Sequence, residues 1–186
     1  MNPARHIVLV GPMGAGKPSI GRCLAGHLGL PFVDSDQEIE RRTGATVPTI
    51  FDCEGEQGFR IREREVLDAL LAGPPAVIAT GGGVVLDAGN RRLLAGRGFV
   101  VHLHVDVPGQ LQRLARDRSR PLLASDDREA ILHRLARERG SLYADVADLE
   151  FDTRQRSAAE TARELAGLLE SQWRRGDADR HAEPAA

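Results

Sequence analysis

The chain has 186 residues, 41% hydrophobic and 28% charged, with a formal net charge of -2 at pH 7, which suits one globular domain and excludes wholesale disorder. So balanced a charge sets up no general field for nucleic acid or an anionic membrane, and an aromatic content of 4% offers no stacking platform for a single strand, so neither partner is expected. No apolar run approaches the roughly 20 residues of a membrane span, and Met1-Asn2-Pro3-Ala4-Arg5-His6 lacks the apolar core of an export signal. The expected compartment is the cytoplasm and the expected state a monomer.

In chain order, His6-Ile7-Val8-Leu9-Val10 reads as a buried strand, followed by a glycine-rich turn and an amphipathic stretch over 19–27. Short apolar strands recur at Phe32-Val33, Ala76-Val77-Ile78-Ala79, 99–105 and 149–151. Between them lie segments of helical spacing, 62–71, 109–115 and 128–138, and a last helix is expected over 158–173. Strands alternating with helices predict an α/β fold with a parallel sheet covered on both faces, and ligands at the carboxyl ends of its strands. A single domain is expected over 1–173, with 174–186 a polar, disordered tail. Cys23 and Cys53 fall on helical segments without metal-like neighbours, so buried free thiols are expected rather than a disulfide.

Gly11-Pro12-Met13-Gly14-Ala15-Gly16-Lys17 lies between a strand and a helix, the context of a phosphate-binding loop. Backbone amides at Gly14, Ala15 and Gly16 and the following helix N-terminus supply partial positive charge, and Lys17 neutralises β- and γ-phosphates. Lys17 is also the only lysine among 25 basic residues; a slim ammonium reaches between phosphate oxygens where a planar guanidinium does not fit. The motif asks next for Ser or Thr, to put a hydroxyl on Mg2+, and Pro18 stands there. Proline supplies neither hydroxyl nor amide, and its ring pushes Lys17 away from helical dihedrals. The absence of two charge-assisted hydrogen bonds together costs about 3 to 6 kcal/mol of nucleotide or transition-state affinity. Proline is tolerated at a helix start, and Ser19 follows with a hydroxyl that partly compensates.

Asp34-Ser35-Asp36 closes the second strand. Residues two apart in extended chain face the same way, so both carboxylates project into one crevice: Asp34 as the anchor for Mg2+, Asp36 on the acceptor hydroxyl whose proton it takes. The same residues also read as a helix N-cap with an acidic first turn, and the two readings are compatible.

The segment Gly55-Glu56-Gln57-Gly58-Phe59-Arg60, the turn Gly81-Gly82-Gly83, Arg120-Pro121-Leu122-Leu123 and Arg139-Gly140-Ser141-Leu142-Tyr143 follow in order. Together with the phosphate loop and the aspartate pair, they resemble shikimate kinase over 7–169. The resemblance implies the nucleoside-monophosphate-kinase-like sandwich of three layers, with a five-stranded parallel sheet, substrate-binding helices and a lid over 113–126. It implies transfer of the γ-phosphoryl group of ATP to the 3-hydroxyl of shikimate, on the way to aromatic amino acids, with Mg2+ as cofactor. By the same resemblance Arg60 and Arg139 clamp the shikimate carboxylate by paired hydrogen bonds, and Gly81, Gly82 and Gly83 bring bare backbone to the ligand. Arg120 swings over the phosphates on closure, while Arg113 stacks on adenine and Arg154 borders it.

Glu63, one helical turn beyond Arg60, orients that guanidinium or merely pairs with it on a solvated helix face. Arg116 and Arg118 are expected on a solvated basic face. Two other functions remain open at this point: another small-molecule P-loop kinase, of the gluconate type, and a homologue that binds nucleotide and shikimate with impaired chemistry because of Pro18.

Overall fold

The computed structural model describes residues 4–115, 127–154 and 156–173. Five strands, β1 (His6–Val10), β2 (Phe32–Asp34), β3 (Val77–Ala79), β4 (Gly98–His104) and β5 (Leu149–Asp152), form one parallel sheet in the order β2-β3-β1-β4-β5. Each was expected from its apolar run; parallel strands are buried on both faces and therefore lack polar alternation.

β1 shows what the two faces do. Ile7 and Leu9 point into a core with Ile20 and Leu24 of α1 (Lys17–Leu28) and Leu165 and Leu169 of α7 (Ala158–Gln172). Val8 and Val10 point the other way, against Leu67 and Leu71 of α3 (Val47–Ala72), Leu94 of α4 (Ala88–Arg97) and Tyr143 and Val146 of α6 (Arg128–Val146). Helices on both sides of a sheet make the three layers expected. Smaller cores lie between α3 and α2 (Ser35–Thr43), around Ile39 and Phe59, and between α6 and α5 (Val107–Leu114), around Leu114 and Leu132.

Three features depart from the sequence reading. The 62–71 segment is the end of the much longer α3, which starts at Val47 under a Thr46 cap and bends at Gly55, where φ is 70°. α4, unread in the sequence, is capped by Asp87, which accepts from Asn90 N. Cys53 is exposed rather than buried, because residues 52–57 of α3 face solvent, and Cys23 is half-buried. Among the described residues no helix is long and apolar enough to cross a membrane. Arg120, its neighbours Arg116 and Arg118, most of the expected lid and the 174–186 tail lie outside the described residues.

Candidate active site

The loop after β1 is shaped by glycine. Gly16 sits at φ 87°, a left-handed conformation that costs a side-chain-bearing residue energy, and from there the chain enters α1 with no side-chain cap. The first intrahelical hydrogen bond runs from Ile20 N to Gly16 O at 2.9 Å; amides ahead of it belong to the set a helix leaves for caps and ligands. Lys17 is the first residue of α1, not a residue displaced from it, and Pro18 is the second. The proline is accommodated because a first-turn residue needs no amide for the helix itself. Lys17 is 6% exposed and folds back over the loop, its Nζ donating to Gly11 O at 2.7 Å and Pro12 O at 2.9 Å.

This loop forms one side of an open cleft of about 590 Å3, with Lys17, Pro18 and Ser19 facing Asp34 and Asp36. The two aspartates share the cleft for a reason other than strand alternation. Helix α2 begins at Ser35, so Asp34 is its N-cap, with Oδ1 accepting from Asp36 N at 3.0 Å and Gln37 N at 3.3 Å, while Asp36 lies in the first helical turn. Capping and cleft-lining coexist in Asp34.

Beyond Met13 the cleft passes into a smaller pocket between Asp36, Phe51, Phe59, Arg60, Glu63 and Arg139, floored by Gly81, Gly82 and Gly83. Arg60 donates through Nη1 to Glu63 at 2.8 Å and through Nη2 to Glu56 at 2.9 Å. With Glu63 only 1% exposed, this is no solvated surface pair. Burial, opposed by Arg60 and reinforced by Asp36, raises the Glu63 carboxyl to about 7. Arg139, also buried, donates from Nη1 to Gly82 O at 3.2 Å, while its Nε has no hydrogen-bond partner among the described residues.

A buried guanidinium with a donor left over has the chemistry to meet an anion. Tyr143, one turn along α6, also donates to Gly82 O, and burial pushes its hydroxyl up to about 12. Its ring stacks on His102, centroids 5.1 Å apart. Glu56 stood in the 55–60 motif without a role, although its partner Arg60 is only one helical turn along α3; His102 was missed, because nothing local marks a residue whose partner, Tyr143, arrives from another element.

Arg113 and Arg154, expected to border the adenine, lie together on the other side of the glycine loop. Arg113 donates to Gly14 O at 2.9 Å, Thr153 Oγ1 at 3.0 Å and Thr153 O at 2.6 Å, tying the glycine loop to the end of β5. Arg154 is held by Asp152 at 2.6 Å and Asp106 at 3.2 Å, beside Arg113 in a surface hollow. Among the described residues no three His, Cys, Asp or Glu side chains cluster to chelate a metal. The donors present, Asp34 and Asp36, fit a cation that arrives with phosphate oxygens and water, which is how Mg2+ is usually held.

A parallel sheet of this order, with a glycine loop and lysine at the carboxyl end of its middle strand and a carboxylate beside the cleft, defines a P-loop phosphotransferase of the nucleoside-monophosphate-kinase type. The shikimate kinase (SKI) family pattern matches residues 13–170. The chain is 53% identical to a shikimate kinase of Stenotrophomonas maltophilia over 95% of this chain and 98% of that protein, and 54% identical to one of Xanthomonas oryzae over 96% and 99%. The structure of an Acinetobacter baumannii shikimate kinase in complex with shikimate superimposes with a TM-score of 0.88, at 49% identity over 90% of this chain and 94% of that one. The chain belongs to the shikimate kinase family.

Proposed function

We propose that the chain transfers the γ-phosphoryl group of ATP to the 3-hydroxyl of shikimate, giving ADP and shikimate 3-phosphate. One observation carries the reading: Arg60, Arg139 and the Gly81–Gly83 turn converge in a pocket that shares Asp36 and Met13 with the Lys17 cleft. Two guanidinium groups beside bare backbone suit a carboxylated acceptor, and the shared Asp36 sets the acceptor between them and the phosphates.

The roles follow from position. Arg60 and Arg139 take the shikimate carboxylate, with amides of Gly82 and Gly83 assisting. Asp36 accepts the proton of the 3-hydroxyl as its oxygen bonds to the γ-phosphorus and the bond from phosphorus to the β-bridging oxygen breaks. Lys17 and the amides of Gly14, Ala15 and Gly16 neutralise charge growing on the phosphates. Ser19 lies beside them, Arg113 and Arg154 border the adenine, and Arg120 completes the phosphate side. Asp34 would be the protein's carboxylate toward a Mg2+ carried with ATP, and that ion would withdraw charge from the transferring group. Phosphoryl transfer through a loose transition state asks mainly for such positioning.

Pro18 favours a second reading, a homologue that binds both ligands but turns over poorly. Coupled measurement of ADP release with shikimate, with gluconate and without acceptor separates the cases. Shikimate-dependent release supports the kinase. Shikimate binding by calorimetry with no release under saturating Mg·ATP supports the second reading, and release with gluconate alone overturns the acceptor assignment.

A further inference from the structure

The fold is indifferent to Pro18, but the ligand is not. Residue 18 is the second residue of α1, where helix geometry accepts proline and no intrahelical amide is required. Two groups are nevertheless missing from the cleft wall at this position, an N–H and a hydroxyl, and they serve different partners. The N–H would meet phosphate oxygen whether or not a cation is bound; the hydroxyl of a phosphate loop serves the cation.

The neighbouring hydroxyls are poor substitutes. Ser19 lines the same cleft but is one residue on, turned by roughly 100° about the helix axis from residue 18, and is exposed to water. Thr80, at the far wall of the cleft, is buried and donates to Leu9 O at 3.0 Å. Asp34 spends Oδ1 on the α2 cap, leaving Oδ2 as the oxygen a hydrated cation can share.

We infer that Pro18 uncouples nucleotide affinity from the divalent cation: Mg2+ tightens nucleotide binding less in this chain than it does once residue 18 bears a hydroxyl, and what coupling remains runs through Asp34. The inference rests on the kinase reading and sharpens it, because it separates the deficit at residue 18 into an amide part blind to Mg2+ and a hydroxyl part seen only with it. Coupling of this kind is reciprocal, so nucleotide should recruit Mg2+ equally weakly.

The test is the dissociation constant of ADP and of a non-hydrolysable ATP analogue, by calorimetry, in Mg2+ and in EDTA. Parent, Pro18→Ala, Pro18→Ser and Asp34→Asn are compared, each shown folded by circular dichroism; asparagine retains the capping oxygen. Pro18→Ala restores the amide alone and should tighten binding about tenfold in both buffers, leaving their ratio unchanged. Pro18→Ser should gain roughly a further tenfold in Mg2+ only. Asp34→Asn should bring the two constants of the parent together.

Equal ratios in the parent and Pro18→Ser, with nucleotide still bound, overturn the inference and leave the kinase reading intact. A ratio widened by Pro18→Ala overturns it as well, because alanine brings no metal ligand. An unchanged ratio in Asp34→Asn overturns the role given to Asp34. No nucleotide binding in either buffer overturns the kinase reading and the inference together.

Discussion

The Arg60 guanidinium rests on the bare backbone of Gly83: a Cβ at residue 83 would stand 2.2 Å from Nη2 and 2.4 Å from Nη1. The glycine is there for a side chain 23 positions away in sequence order, not for its own backbone, whose φ of -99° any residue adopts.

Gly83→Ala should therefore leave the fold intact and displace the guanidinium. The expected result is a KM for shikimate raised about tenfold, roughly 1.4 kcal/mol, with nucleotide affinity and Tm little changed. An unaltered KM would detach Arg60 from acceptor binding.

Glu63 makes stability depend on pH in an unusual direction. Its folded pKa of about 7 lies above the ordinary 4.5, chiefly through burial. Between these values the folded state keeps a proton that the unfolded chain gives up, so this residue's contribution falls as pH rises through the window. Glu63→Gln, which cannot ionise, should gain about 1 to 3 kcal/mol on the parent between pH 4.5 and 8. Denaturant melts at several pH values measure this, and a constant difference between the two proteins contradicts it.

His6 and His102 act oppositely. Burial lowers both from 6.5, helped at His6 by Arg5 and opposed at His102 by Glu150. Their folded pKa values lie below the unfolded one, so the stability they contribute is whole above pH 6.5 and is lost as pH falls from there. His6 is 1% exposed, so its ring is almost wholly out of water in the folded chain. His6→Leu should accordingly flatten the acid side of the Tm profile and raise Tm at pH 5.5. A profile parallel to the parent's would show that His6 does not titrate on unfolding.

Much of the architecture was legible because it is local. β1, the glycine loop and α1 announce themselves in consecutive residues: an apolar run, glycines where φ turns positive, then helical spacing. The other strands were readable for the same reason. α4 was not, since its ten residues carry a weak apolar pattern, and the first part of α3 was not, since Gly55 breaks the helical path with a kink and residues 52–57 around it face solvent.

The site divides along the same line. Lys17, Asp34, Asp36 and the triple glycine were placed by motif, and the consequence of Pro18 follows from covalent structure alone: no fold can give proline an amide or a hydroxyl. Whether Arg60 and Glu63 formed a surface pair or a buried one was beyond sequence, as was the meeting of Arg139 and Tyr143 on Gly82. Burial and the fate of a donor depend on which distant elements close over a side chain, and only the packing of α3 and α6 against the end of the sheet decides that.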